Sequence, residues 1–303
     1  MRYFTPEGTD MKASVIAQGC MRIARMSDAE VDAMMDADLE AGVNFFDHAD
    51  IYGGGKCEEK FGAYLRRHPS ARDKMLLQTK CGIIIGKRYD FSQKHIVECV
   101  EGSLKRLGTD HIDVLLLHRP DALCEPEIVA ETFEKLHTSG KVRYFGVSNH
   151  NSFQIGLLQK YTRHRLIFDQ LRFGPVHTCM VDAGLHVNMK CADAVVRDGM
   201  TLDYCRMNNI TIQPWSPFRA AVGTAFGFPH LRLSRALKKL AKKYAATDAA
   251  ALLAWILRHP ANMQPIVGST DPARIAGMAK AADVTITHEE WYDIYRAAGH
   301  KIP

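Results

Sequence analysis

VNFFDHADIYGG, residues 43–54, is an apolar run that stops at Asp47 and carries Tyr52 five residues further on. Two later runs end in the same way, MLLQTK at Lys80 and DVLLLH at His118. Short apolar runs closed by polar residues read as buried strands. If these strands are parallel neighbours in one sheet, Asp47, Tyr52, Lys80 and His118 all project at its carboxyl edge. In an α/β barrel that edge carries the active site. A phenol beside an ammonium, a carboxylate and an imidazole is a proton-transfer group, so the sequence points to an enzyme that protonates an oxygen.

Outward from this stretch the same alternation recurs. SVIAQG, VNFFD, MLLQTK, DVLLLH, YFGVS, LIFDQ, ITIQPW and PIVGS are predicted strands. Segments of helical period lie between them, near 27–41, 56–67, 92–107, 126–138, 151–161, 200–208, 232–244, 247–258 and 271–280. Repeated strand–helix units argue for a parallel sheet. Local caps agree with the boundaries. Ser27 with Glu30 forms a capping box, Gly42, Gly108 and Gly140 stand at helix ends, and Pro272 follows Asp271 at a helix start. The expected fold is a (β/α)8 TIM barrel, one domain over residues 1–303, with long loops after strand 6 (171–199) and strand 7 (216–231). Long loops on the functional face are usually lids or binding loops.

Composition narrows the class. A formal charge of +5 with dispersed basic residues gives solvated helix faces such as RALKKLAKK rather than a nucleic-acid stripe. The eight cysteines form no C-x-x-C pair and several sit in apolar periodic segments, as expected of free thiols in a reducing compartment. MRYFTPEGTD has no apolar signal region, and no stretch approaches about 18 apolar residues. A cytoplasmic protein with neither nucleic-acid nor membrane partner is expected.

Carbonyl reduction needs a hydride at carbon and a proton at oxygen. Tyrosine holds its proton too tightly near neutrality, its reference pKa being about 10. A neighbouring ammonium stabilises the phenolate, so Lys80 is expected to make Tyr52 a better donor. Asp47 can hold Lys80, and His118 can orient the substrate oxygen and stabilise its developing charge.

FDHADIYGG with Glu59 and Gly62, KVRYFGVSN, QPWSP and PIVGS with a following arginine resemble the signatures of the aldo-keto reductase superfamily over nearly the whole chain. The HADIYGG and HRPD wording is closest to a bacterial YdhF-like branch. The resemblance implies an NADP(H)-dependent barrel reductase, by default a monomer, converting small-molecule aldehydes or ketones to alcohols. Tyr52 is then the acid, Lys80 and Asp47 its tuners, and His118 the orienting residue. Ser148, Asn149 and Gln170 match the residues that bind the carboxamide. Trp215 matches the stacking aromatic, and Ser216 and Phe218 the start of the pyrophosphate segment. Gly19, Cys20, Met21 and Arg22 match the loop beside the ribose and substrate. Gly268, Ser269, Thr270 and Arg274 match the adenosine 2′-phosphate segment, where hydroxyls and a guanidinium at a helix start suit a dianion. Gly268 replaces a common lysine, Gly277 and Met278 a common Glu–Asn pair, and Phe145 and His150 also depart from the pattern.

The expected substrate pocket uses Arg22, Arg119, Phe173, His177, Phe218 and Phe226, with the arginines favouring an anionic group unless Asp50 or Asp121 pairs with them. Two other classes compete. A metal-dependent barrel hydrolase would use His48, Asp50 and His118, but lacks an H-x-H pair and histidines at late strand ends. His177, Cys179, His186 and Cys191 are too irregularly spaced for a zinc site, and no metal is expected. A cofactor-sensing regulatory module with the same fold would keep the tetrad and bind cofactor without turnover.

Overall fold

The computed structural model describes residues 1–185, 201–219 and 225–300. The sheet contains β1 (Ala17–Gly19), β2 (Phe45–Asp47), β3 (Leu76–Cys81), β4 (Ile112–Leu117), β5 (Val142–Ser148), β6 (Leu166–Gln170), β7 (Thr211–Ile212) and β8 (Ile266–Val267). Each strand runs parallel to its sequence neighbour, and β8 pairs back onto β1. The ring closes between β7 and β8: Gln264 N donates to Ile212 O and Ile266 N to Pro214 O, both at 2.9 Å, with Trp215 bridged to Ile266. The fold is the expected (β/α)8 barrel.

Helices follow the strands: α1 (Asp28–Glu40), α2 (Lys56–Arg67), α3 (Gln93–Leu107), α4 (Pro126–Thr138), α5 (Ser152–Tyr161), α6 (Cys179–Leu185), α7 (Thr201–Met207), α8 (Leu231–Lys243), α9 (Asp248–Leu257), α10 (Pro272–Ala279) and α11 (His288–Ala297). The Ser27–Glu30 capping box fixes the start of α1, and Asn151–Gln154 and Thr287–Glu290 do the same for α5 and α11. Each box satisfies helix N–H groups that would otherwise lack partners. Gly62 has a packing reason, because a Cβ there would lie 2.1 Å from the Arg106 carbonyl oxygen. Glycine therefore lets α2 lie directly against α3.

Alternation along the strands sorts side chains into two sets. Phe45, Val114, Leu116, Phe168 and Ile266 form one apolar cluster with Met11 and Ala13 from the N-terminal segment. That segment is a hairpin of Tyr3–Phe4 with Ala13–Ser14, which the sequence reading missed. It takes Ser14 away from the expected first strand, so SVIAQG contributes only Ala17–Gly19 to the ring. Likewise ITIQPW and PIVGS supply only two ladder residues each. The second set, including Phe46, Leu77, Leu115, Phe145 and Ile212, belongs to the larger cluster shared with the helices.

The loop after β6 contains α6, which the sequence reading also missed, and it is fastened to α11. Tyr295 OH donates to Asp182 Oδ1, Thr178 Oγ1 donates to Asp182 Oδ2 at 2.8 Å, and His300 Nε2 meets Pro175 O at 2.7 Å. Phe173 stacks on Trp255 at 5.3 Å, and Trp255 on Trp291 at 4.8 Å. No helix among the described residues is long and apolar enough to cross a membrane.

Two buried histidines carry a stability cost at low pH. Burial, then the Lys80 charge, holds His48 at about 3, and burial holds His150 at about 4. The unfolded chain takes up these protons near the ordinary value of about 6.5, whereas the folded chain does not. Stability present above that value should be lost as pH falls toward about 4, at roughly 1 kcal/mol per pH unit for each histidine. Thermal melts from pH 7 to pH 5 should show this fall, and His48→Phe should make it shallower. An unchanged slope would remove His48 as a source.

Candidate active site

The carboxyl ends of β2 and β3 place Asp47 and Lys80 together inside the ring, where Lys80 is fully buried. Lys80 Nζ donates to Asp47 Oδ1 at 2.7 Å, to Asp47 Oδ2 at 2.8 Å and to the His48 carbonyl at 2.7 Å. Its fourth contact is Tyr52 OH at 3.1 Å, held on the short 3₁₀ turn Tyr52–Gly55 that leads into α2. His118, just past β4, sets its ring edge-on to Tyr52 with centroids 6.0 Å apart. The four residues predicted from strand ends therefore meet at one place.

The electrostatics differ from the expectation in one respect. Burial pushes the Tyr52 phenol above its ordinary value; Lys80 pulls it back without overcoming burial, and Asp47 adds to the rise. Tyr52 is thus held firmly protonated rather than made acidic in the resting site. Burial opposes the charge on Lys80, but Asp47 and Tyr52 more than offset this and raise its pKa. His118 is held at about 3 by burial and by the Lys80 and Arg119 charges, so its imidazole is neutral. Its Nδ1 is buried without a hydrogen-bond partner.

A second group lies at the ends of β5, β6 and β7. Ser148 Oγ donates to Gln170 O at 2.9 Å and accepts from Asn149 Nδ2 at 2.8 Å, while Trp215 Nε1 donates to Asn149 Oδ1 at 3.3 Å. Asn149 holds φ +59°, a left-handed conformation that asparagine tolerates better than most residues. Ser148, Asn149, Gln170 and Trp215 thus converge as expected. Their hydroxyl, amides and indole are the chemistry that receives a planar carboxamide, and the site fits such a group.

Elsewhere the placement is mixed. Gly19 sits at the end of β1, with Met21 and Arg22 exposed beyond it, while Cys20 is buried. Ser216 and Phe218 follow Trp215, and Phe218 lies 5.8 Å from Phe226. Gly268, Ser269 and Thr270 are half-buried after β8. Arg274 is exposed and pairs with Asp271 at 3.4 Å, while Asp271 accepts the backbone N–H groups of Ala273 and Arg274. A phosphate at this helix start must share it with a carboxylate. Gly277 lies under Thr247 and Met278 is buried. Phe145 stacks on Phe133 and His150 binds the Ser148 carbonyl, which makes both departures matters of packing.

Phe173, expected at the pocket, is placed in the core. It is 1% exposed and packs in the stack with Trp255. His177 is half-buried, its backbone paired with Gly174 and its ring subject to the Arg172 charge. Arg22 and Arg119 form no ion pair among the described residues; Asp121 instead accepts the backbone N–H groups of Phe91 and Leu123. His48 faces Phe61 of α2 at 4.5 Å, on the opposite side of β2 from Asp47, so it cannot join a metal site with His118. His186 and Cys191 lie outside the described residues, as do 186–199 of the expected insertion and 220–224 of the next loop.

Several polar partners escaped the sequence reading. Glu58, not Glu59, is the buried acid: it accepts from Thr79 Oγ1 at 2.7 Å and from Arg106 Nε at 2.7 Å. Gln78 Nε2 and Gln170 Nε2 donate to Asp47 Oδ1 at 2.7 and 3.0 Å. Arg172 lies over the Trp215 ring at 5.8 Å. A glutamine inside an apolar strand, as in LLQTK and ITIQPW, was the available signal for the amides.

Comparison with known proteins shows the family. The model of the aldo/keto reductase family matches residues 15–298. The chain is 36% identical to oxidoreductase YcsN of Bacillus subtilis, over 97% of each chain. It is 33% identical to a 6-dehydroglucose reductase of Agrobacterium fabrum, over 95% of each. It is also 33% identical to oxidoreductase YdhF of Escherichia coli, over 98% of this chain and 97% of that one.

Lys80→Met would leave the Asp47 carboxylate buried without its cation. Removing one partner of a buried pair should cost about 3–5 kcal/mol of unfolding free energy. Urea unfolding measures this directly, and an unchanged midpoint would contradict the pairing.

Proposed function

The chain belongs to the aldo/keto reductase family, and from that premise we propose that it is an NADP(H)-dependent reductase of small aldehydes and ketones with Tyr52 as the proton donor. The observation that carries this reading is the 3.1 Å contact of Tyr52 OH with the Asp47-bound ammonium of Lys80. Ser148, Asn149, Gln170 and Trp215 would hold the nicotinamide end of the cofactor. Gly19, Met21 and Arg22 would lie along its ribose, and Ser216 and Phe218 along its pyrophosphate. Gly268, Ser269, Thr270 and Arg274 would face the 2′-phosphate. Bound there, the reduced nicotinamide supplies the hydride to the carbonyl carbon.

The protein's own part is the oxygen. Neutral His118 donates from Nε2 to the carbonyl oxygen and fixes its direction. As the carbonyl π pair moves onto that oxygen, its basicity rises far above that of a phenolate, and the Tyr52 O–H bond breaks toward it. The phenolate left behind faces the Lys80 ammonium, and solvent returns its proton. A phenol raised by burial suits this order: it stays protonated until the substrate oxygen has become the stronger base.

Arg22, Arg119, His177 and Phe226 would line the substrate side, and the two arginines, without an ion pair among the described residues, favour a polar or anionic substituent. Similarity to a 6-dehydroglucose reductase puts hydroxylated aldehydes first among substrates to screen. We take the protein to act in the cytoplasm as a single-domain monomer, with no nucleic-acid or membrane partner. The separate free thiols of the described residues fit a reducing compartment.

Two experiments test the reading. Tyr52→Phe should lower kcat for carbonyl reduction at least a hundredfold while NADPH affinity stays within about twofold. Wild-type kcat should stay flat from about pH 5 to about pH 9, because His118 remains neutral and Tyr52 protonated across that range. Retained turnover in the variant would assign the proton to another group. For the cofactor, Arg274→Ala should weaken NADPH binding about tenfold and leave NADH binding unchanged. A wild-type preference for NADH would overturn the NADP(H) assignment.

A further inference from the structure

Four glutamines cross the inside of the barrel beneath the tetrad. Gln264 Nε2 donates to Ser14 O at 2.7 Å, and Gln213 Nε2 donates to Gln264 Oε1 at 2.8 Å. Gln213 Oε1 then accepts from Gln78 Nε2 at 2.8 Å and from Gln170 Nε2 at 3.3 Å. The same two nitrogens reach Asp47 Oδ1 from the other side. Gln78, Gln213 and Gln264 are 0% exposed and Gln170 is 3% exposed. Asp47 Oδ1, Gln213 Oε1 and the two amide nitrogens thus make a closed ring of two acceptors and two donors.

The direction of every amide in this chain is fixed from both ends. A backbone carbonyl can only accept, so Gln264 must turn its NH₂ to Ser14 and its oxygen to Gln213. Gln213 must then give its NH₂ to Gln264 and turn its own oxygen toward Gln78 and Gln170. An ionised Asp47 also only accepts, and it makes the same demand from above. Both hydrogens on Gln170 Nε2 are committed, which leaves Gln170 Oε1 as that side chain's one uncommitted group.

We infer that Gln213 is a positioning residue that locks Gln170 in the orientation the cofactor's carboxamide requires and, through the same ring, holds Asp47 in line with Lys80. The inference rests on the reading that Ser148, Asn149 and Gln170 receive the nicotinamide and Tyr52 gives the proton. One side chain below the site then couples the hydride side to the proton side. Without it, Asp47 alone would hold the Gln170 amide, through one contact at 3.0 Å, and the second contact that sets its tilt would be gone.

The test uses two variants. Gln213→Met keeps length and removes all three hydrogen bonds. Gln213→Glu is a conditional mimic: when protonated, its O–H can donate to Gln264 and its carbonyl oxygen can accept from Gln78 and Gln170. Once ionised it cannot donate, and it places a second negative charge across the ring from Asp47. Asp47, Lys80 and Tyr52 are the titratable groups of the tetrad linked to it through that ring. Burial and the Asp47 charge should raise the introduced carboxyl, so the change should fall between about pH 6 and about pH 9.

NADP⁺ affinity is read from tryptophan quenching without substrate, kcat and KM from NADPH consumption, and folding from circular dichroism. In Gln213→Glu, affinity and kcat should be near wild type at the acid end, then fall at least fivefold and tenfold as pH rises, with the wild type flat. Gln213→Met, where folded, should show both losses at every pH. Wild-type affinity and kcat in folded Gln213→Glu across the whole range would overturn the inference and leave the reductase reading standing. Failure of the wild type to bind NADP⁺ would overturn both.

Discussion

The site depends on one buried ion pair. Lys80 has no exposed surface, and its ammonium is satisfied by both oxygens of Asp47, the His48 carbonyl and the Tyr52 hydroxyl. A charge taken out of water is tolerated only when its partner and remaining hydrogen bonds are in place. The barrel meets that demand by ending β2 and β3 side by side, and the Tyr3–Ser14 hairpin covers the opposite end of the ring. The interior is layered as a result: apolar at the bottom, amide in the middle, ionic at the top.

The pair also decides what kind of acid Tyr52 can be. An ammonium beside a phenol in water would make it more acidic, and that was the expectation from sequence. In the barrel, desolvation is the largest influence and outweighs the ammonium, and the Asp47 charge adds to the rise. Lys80 therefore limits the rise caused by burial and waits for the phenolate that forms during reaction. His118 stays neutral for the same reason, with burial and two nearby cations acting together.

How far the sequence could be read follows from the kind of interaction involved. Asp47, Lys80 and His118 were legible because each polar residue closes an apolar strand, and the barrel brings strand ends together. The helix limits were legible through local caps such as Ser27–Glu30 and Asp271–Pro272. The packing of Phe173 was not legible, because an aromatic just past a strand serves a pocket or a core equally well, and its place in the stack with Trp255 and Trp291 shows only in the structure. The choice of Glu58 over Glu59 turns on which neighbour of a helix pair faces Arg106 and Thr79. Gln78 and Gln213 were passed over as ordinary strand residues. A buried amide is meaningful only through its partners, and those lie from 31 to 250 residues away along the chain.

The most direct test of this account is the titration of the Tyr52 phenol itself, followed by NMR of ring-labelled tyrosine in the wild type and in Lys80→Met. The account requires the wild-type phenol to titrate above the ordinary value of about 10, and to move higher still when the ammonium is removed. A wild-type phenolate forming below about pH 8, or the same midpoint in both proteins, would contradict it.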